Sequence, residues 1–321
     1  MRVGGFLISM CVLTLAAAAF SASAAVPEFP VKSLRIVAPG IGGSADFVAR
    51  MIALGLTANA DWQVIVDNRP NGPVSGEIVA RATPDGYTLL VTSNSHWIGP
   101  LIAQNTPYDA VRDFLPVTQA TSSPNVLLIN PGTPAKSVKD LIELAKAKPG
   151  QLNYGSGAIG ASSHLAAELL KSMASINVVR IPYNSNAAQI TDLIGGRIQV
   201  MFSNATAAPP HMKSGKLRGL AVTSLKPSAL FPELPAVSAT VPGYDSTGMV
   251  GVFAPARMSA ALVLRLNQEI ARALNRPDVK EKLTYAGVEA VAGSPQQFAG
   301  SVKADVVKWT KIIRDAGIRE E

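Results

Sequence analysis

The side chains able to do acid–base or nucleophilic chemistry are few and scattered. The three histidines, His96, His164 and His211, are widely spaced and lack the helix-spaced partner that a zinc site requires. No Gly-x-Ser-x-Gly elbow presents a serine for attack. Asp46, Asp85 and Asp109 stand singly, as capping and turn carboxylates do. Counting alone leaves open a Ser-His-Asp arrangement around His96 or His164, because both fall near loops expected to border a cleft.

Those loops carry a different chemistry. Residues 38–46 read Ala-Pro-Gly-Ile-Gly-Gly-Ser-Ala-Asp, and residues 155–164 read Gly-Ser-Gly-Ala-Ile-Gly-Ala-Ser-Ser-His. Each follows a strand and opens a helix. Glycine lets backbone N–H groups turn toward a ligand, and a helix start favours an anion. Gly155, Gly157 and Gly160 have the spacing of a dinucleotide fingerprint, but the next strand, ending Val179-Arg180-Ile181-Pro182, offers no acid for a ribose. Neither loop is followed by the Lys-Ser or Lys-Thr of a phosphate loop. No nucleotide, cofactor or metal is expected. Phe47, Trp97, Tyr183, Asn184, Phe202 and Asn204 lie beside the loops and are candidates to line a small-molecule pocket.

Alternating strand and helix patterns must position these loops. Strands are expected at 34–37, 64–66, 87–91, 152–154, 178–181, 198–202, 217–222 and 249–254. The continuous apolar run Val126-Leu127-Leu128-Ile129 predicts a strand covered on both faces. Helices are expected at 46–56, 137–148, 162–173, 187–194, 259–274 and 278–286. A last helix opens at Ser294-Pro295-Gln296-Gln297 and runs to about 315. This alternation predicts an α/β protein with two parallel-rich sheets flanked by helices. A change of lobe is expected near residues 121–124, with a return near 223–224. One lobe then comprises residues 32–123 and 225–321, and the other residues 124–224.

The N-terminus predicts export. Arg2 is followed by an apolar run from Phe6 to Phe20 and by Ser21-Ala22-Ser23-Ala24-Ala25, the small-residue pattern of a signal-peptidase site. The run is short for a bilayer span of about 20 residues. A signal peptide over residues 1–25, cleaved near Ala24 or Ala25, would remove Cys11, the only cysteine, and leave a thiol-free protein suited to an oxidising periplasm. The net charge of +7 is scattered without aromatic interleaving, which argues against a nucleic-acid surface, although a mild positive field helps anionic small molecules approach.

An ordered series of short motifs spans nearly the whole expected mature chain. It includes residues 68–70 (Asn-Arg-Pro), 84–89 (Pro-Asp-Gly-Tyr-Thr-Leu), 107–109 (Pro-Tyr-Asp), 152–154 (Leu-Asn-Tyr), 162–166 (Ser-Ser-His-Leu-Ala), 181–183 (Ile-Pro-Tyr), 192–196 (Asp-Leu-Ile-Gly-Gly) and 253–256 (Phe-Ala-Pro-Ala). With these the chain resembles the Bug family of periplasmic solute-binding proteins, receptors of tripartite tricarboxylate transporters. The resemblance implies a two-lobed, type II-like periplasmic-binding fold that closes on a small carboxylate. It implies ligand contacts from Gly40, Ile41, Gly42, Gly43, Ser44 and Asp46 of the first loop. From the second it implies Ser156, Ala158, Gly160, Ser162, Ser163 and His164, and it adds Asn204 at a strand end. Asn94, His96 and Tyr183 complete the expected set. The chain departs from the family pattern at Ala38, Ile41, Ser44-Ala45 and Ser203, and the segment after Pro70 is shorter. The expected role is a monomeric, non-enzymatic receptor that delivers an organic acid to membrane permease subunits. The alternatives are a ligand-sensing partner of a membrane sensor kinase and a periplasmic hydrolase using His96 or His164.

Overall fold

The computed structural model describes residues 29–318 except 71, 104, 158, 159, 184 and 206. The expected signal peptide and Cys11 lie outside the described residues. The elements that follow belong to the unit Lys32–Glu321, distinct from the unit Met1–Val31. In chain order they are β1 (Leu34–Pro39), α1 (Ser44–Ala60), β2 (Val64–Arg69), α2 (Gly72–Ala80), β3 (Thr88–Ser93), α3 (Ser95–Ile98) and β4 (Phe114–Ser123). Then come β5 (Asn125–Ile129), α4 (Val138–Ala147), β6 (Asn153–Ser156), α5 (Ser162–Ala174), β7 (Val179–Pro182), α6 (Asn186–Ile194), β8 (Val200–Asn204), α7 (Ala208–Lys213) and β9 (Arg218–Val222). The chain ends with β10 (Gly248–Pro255), α8 (Ala260–Leu274), α9 (Pro277–Tyr285), β11 (Glu289–Ala290) and α10 (Pro295–Ala316).

Two sheets result. One has the order β11-β4-β10-β3-β1-β2, drawn from both ends of the chain, and the other has the order β7-β6-β8-β5-β9. Both are mixed. The βα units give the parallel pairs β1–β2, β1–β3, β6–β7 and β6–β8. Where the chain passes between sheets, the strands run antiparallel: β10 against β3 and β4, and β5 against β8 and β9. The apolar run of β5 therefore reports burial on both faces, not parallel pairing. Leu127 and Ile129 point into one core cluster, Val126 and Leu128 into another, and all four are fully buried.

Local signals explain most element starts. Ser137, Ser185, Ser259 and Ser294 each accept a hydrogen bond from a first-turn amide, and Ser294 with Gln297 forms a complete capping box. The elements without a readable signal are β4 and α2, together with α3, α7 and β11. β4 carries Pro116, which interrupts a strand pattern; the structure accommodates it beside a register shift in the β4–β10 ladder. Helix α2 starts directly after the Arg69-Pro70 turn.

The larger core cluster joins the two halves of the chain. Leu165 and Leu169 of α5 and Trp309, Ile312 and Ile313 of α10 belong to it together with Phe114 and Phe253. Inside it, the buried carboxylate of Asp305 accepts from the indole N–H groups of Trp97 (3.0 Å) and Trp309 (3.2 Å) and pairs with Lys308 at 3.1 Å. The two crossings between the sheets meet at Thr223, which follows β9 and lies beside Asn125 at the start of β5 and Ser246 before β10. The Thr223 hydroxyl accepts from the Asn125 amide (2.7 Å) and donates to the Ser246 carbonyl (3.0 Å).

Two predictions come from this packing. His96 is 2 % exposed, and burial lowers its pKa from 6.5 to about 3. Between those values the unfolded chain binds the proton and the folded one does not, so stability falls as pH drops below about 6.5. Urea unfolding at pH 7.5 and pH 5.0 is expected to show wild type losing about 2 kcal/mol more than His96→Leu over that interval. At Gly55 of α1 an added Cβ would lie 2.6 Å from the Cβ of Ala273 in α8. Gly55→Ala is expected to force α1 and α8 apart and cost about 1–3 kcal/mol, measured as a shift of the urea midpoint.

Candidate functional site

The serine caps on α4, α6, α8 and α10 contrast with the starts of α1 and α5, which, like those of α3, α7 and α9, have no side-chain cap. The N-cap of α1 is Gly43 and that of α5 is Ala161, and neither provides a side-chain acceptor. The first amides of an α-helix have no partner within the helix, so the starts of α1 and α5 present N–H groups together with the positive end of the helix dipole.

The first residues of these helices, Ser44 and Ser162, line one cavity of about 100 Å³. The rest of its lining is Ser93, Asn94, Thr121, Ser123, Gly248, Met249, Val250 and Val288. Hydroxyls and one carboxamide make up the polar part, and no lining residue is charged. Such a site suits an anion held by neutral donors and helix starts, with aliphatic walls for its carbon chain. Among the described residues no group of three or more His, Cys, Asp or Glu side chains is placed to hold a metal, and no helix is long and apolar enough to cross a membrane.

The glycine-rich loops are held in shape by their own side chains. In the first, Asp46 is 4 % exposed and accepts from the Gly42 amide (2.9 Å), from Asn68 Nδ2 (3.0 Å) and from Arg50 Nε (2.9 Å). Burial works against its charge, but the Gly42 amide, Asn68 and Arg50 outweigh burial and hold its carboxyl below the usual range. Gly42 adopts φ +80°, a left-handed conformation that favours glycine. In the second loop, Ser163 Oγ accepts from the Gly157 amide at 3.2 Å and His164 Nδ1 from the Gly160 amide at 3.1 Å. Burial lowers the His164 pKa to about 4, with Glu168 opposing the shift and Arg180 adding to it, so the ring is neutral near pH 7.

These contacts correct several expectations. The Gly42 and Gly160 amides are already engaged, and Asp46, Ser163 and His164 shape the loops rather than face the cavity. Ser156 is fully buried and its hydroxyl accepts from Arg180. His96 is neither base nor ligand group: its ring stacks on Tyr108 (centroids 4.6 Å apart) and meets Phe114 edge-on, with both ring nitrogens buried and unpartnered. With His96 in the core and His164 holding a loop amide, no Ser-His pair is poised for hydrolysis. The Ile41 side chain is 83 % exposed at the loop tip and does not line the cavity. Tyr183 gives its hydroxyl to Asp192 (2.8 Å), and Asn204 Oδ1 accepts from the Ala207 amide (3.0 Å). Trp97 and Phe202 are core residues. Gly40 donates its amide to the Arg69 carbonyl, and Gly43 is the exposed cap before Ser44. Ala158 and Asn184 lie outside the described residues.

Of the expected set, Ser44, Asn94 and Ser162 come together at the cavity. Ser93, Thr121, Ser123, Gly248, Met249, Val250 and Val288 were not anticipated. Thr121-Ser122-Ser123 had a signal, a hydroxyl cluster at the expected crossing. Gly248 to Val250 had none, because β10 reaches the site from the far end of the chain.

Comparison with known proteins gives the family and the fold. The model of the tripartite tricarboxylate transporter family receptor matches residues 48–318. A UPF0065 protein from the tcbD-tcbE intergenic region of Pseudomonas sp. strain P51 is 33% identical over 290 residues, covering 89% of this chain and 86% of its own. BugT of Bordetella pertussis is 30% identical over 321 residues, covering 98% of each chain. The structure of R. palustris Rpa4515 with adipate superposes with a TM-score of 0.78 at 32% identity, covering 91% of this chain and 99% of that one. A two-sheet α/β fold, two open helix starts at one uncharged cavity and a family match over most of the length lead to one assignment: the chain belongs to the tripartite tricarboxylate transporter receptors, the Bug-type periplasmic solute-binding proteins, which are not enzymes.

Proposed function

We propose that this protein is an extracytoplasmic receptor for a small organic acid with at least one carboxylate, which it passes to the permease subunits of a tripartite tricarboxylate-type transporter. The observation that carries the reading is the pair of uncapped helix starts, Ser44 of α1 and Ser162 of α5, at one cavity with no charged lining. A carboxylate supplies the acceptors that Gly43 and Ala161 lack. The adipate bound by Rpa4515 makes dicarboxylates the first class to test. Met249, Val250 and Val288 suit the methylene chain between two acid groups.

Residues 32–123 with 225–321, and residues 124–224, are read as two lobes that close on the ligand. The crossings at Pro124 and Thr223 are the hinge, and the cavity described here is the interlobe site. The signal-like N-terminus supports a periplasmic location, and the net charge of +7 favours encounter with anions. Delivery to a permease rests on family membership.

Titration calorimetry against adipate, malate and succinate is expected to reveal one tight binder; heat with none of them or their close homologues removes the receptor reading. Gly43→Asp and Ala161→Asp give a sharper check. Both positions have the extended conformation of an N-cap, so an introduced aspartate caps its own helix and repels the ligand. Each variant is expected to gain about 0.5–1 kcal/mol in stability. Each is also expected to lose roughly 10- to 150-fold in affinity, the equivalent of one charge-assisted hydrogen bond. Affinity unchanged in both variants would place the carboxylate elsewhere.

A further inference from the structure

Arg180 lies outside the cavity lining, yet its side chain reaches the turn that leads to α5. Its strand β7 is the edge of the second sheet, in register with β6, and Arg180 pairs with Tyr154. The guanidinium donates from Nε to Ser156 Oγ (2.8 Å) and from its second terminal nitrogen to the Gly157 carbonyl (2.9 Å). Ser156 Oγ in turn donates to the Gly157 carbonyl (3.2 Å), and the Gly157 amide goes to Ser163 in the first turn of α5. One cation thus grips the end of β6 and the start of the turn, and the turn is tied to the helix.

Its charge is not neutralised by contact. Glu168 lies one turn beyond His164 in α5. Its Oε1 is taken by the Tyr154 hydroxyl and by Lys171 Nζ at 2.6 Å. Among the described residues no carboxylate forms an ion pair with Arg180. A part-buried positive charge therefore stands at the turn that leads to α5, less screened than a surface lysine. A lysine cannot replace it fully, because a single ammonium lacks the planar fork that reaches Ser156 and Gly157 together.

Resting on the receptor reading above, we propose that Arg180 is the positioning residue of the α5 side of the site: it sets the Ser156–Gly157 turn and adds the positive potential that makes this helix start select a carboxylate. It does not touch the ligand. It acts through the turn and through its field.

The test compares wild type, Arg180→Met and Arg180→Lys in two measurements: adipate affinity by calorimetry at low and high sodium chloride, and amide hydrogen exchange at Gly157. Arg180→Met is expected to lose about 10- to 100-fold in adipate affinity. It should also show a flatter salt dependence and faster exchange at Gly157. Arg180→Lys is expected to retain the salt dependence while Gly157 still exchanges faster than in wild type. Wild-type affinity in Arg180→Met overturns the proposal, and faster exchange with unchanged affinity reduces Arg180 to a brace and overturns it equally. A wild type that binds neither adipate, malate nor succinate removes the receptor reading and the ligand half of this one. Exchange at Gly157 then decides the positioning half by itself, and an unchanged rate in Arg180→Met refutes it.

Discussion

Backbone amides at a helix start need acceptors, and α1 and α5 begin without a side-chain cap, as α3, α7 and α9 also do. Four others begin at serines that accept from the first turn. α1 and α5 begin at Gly43 and Ala161, which have no acceptor to offer. Open amides are tolerable where solvent or a ligand reaches them. Both starts border the same cavity. The surrounding structure brings them there and fixes the loops that lead into them.

The loops before the helices do this by satisfying themselves. Asp46 holds the Gly42 amide, and Ser163 and His164 hold the Gly157 and Gly160 amides. Each side chain sits in the first turn of its helix and reaches back, so the loop is fixed by the helix it introduces. Loops fixed in this way have little left to order. The lining of the cavity is neutral. Arg50, paired with Asp46, and Arg180, bonded to Ser156, lie outside that lining.

The core links the sheets by a different chemistry. Asp305 binds two indoles inside an apolar cluster and ties α3 to α10, and α10 packs on α5. A buried carboxylate with its hydrogen bonds satisfied adds direction to packing that apolar contacts leave non-specific. Thr223 does the same where the chain returns to the first sheet, joining Asn125 to Ser246. His96 stands in contrast, a neutral ring among Tyr108, Phe114 and Phe253 with no partner for either nitrogen. It fills space as an aromatic, and burial lowers its pKa.

Much of this was legible in residue order. Ser137, Ser259 and Ser294 announced their helices because capping is a contact over three residues. The apolar run of β5 announced burial on both faces, because each residue reports its own environment. The glycine loops announced helix starts that favour an anion. What stayed hidden depends on partners distant in the chain. Pro116 disguised β4 because the register shift that accommodates it involves β10. His96 read as a loop histidine because the rings around it come from residues 108, 114 and 253. The candidate cavity was one-third visible, through Ser44, Asn94 and Ser162. By itself the sequence determined most of the longer elements, the family and the glycine loops before α1 and α5, since propensity, capping and motif order act over short stretches. Only the tertiary structure decided which polar groups face the cavity and which are used up inside the loops, because a hydrogen bond such as Asp46 to Asn68 or Arg180 to Ser156 exists only after distant strands have been placed side by side.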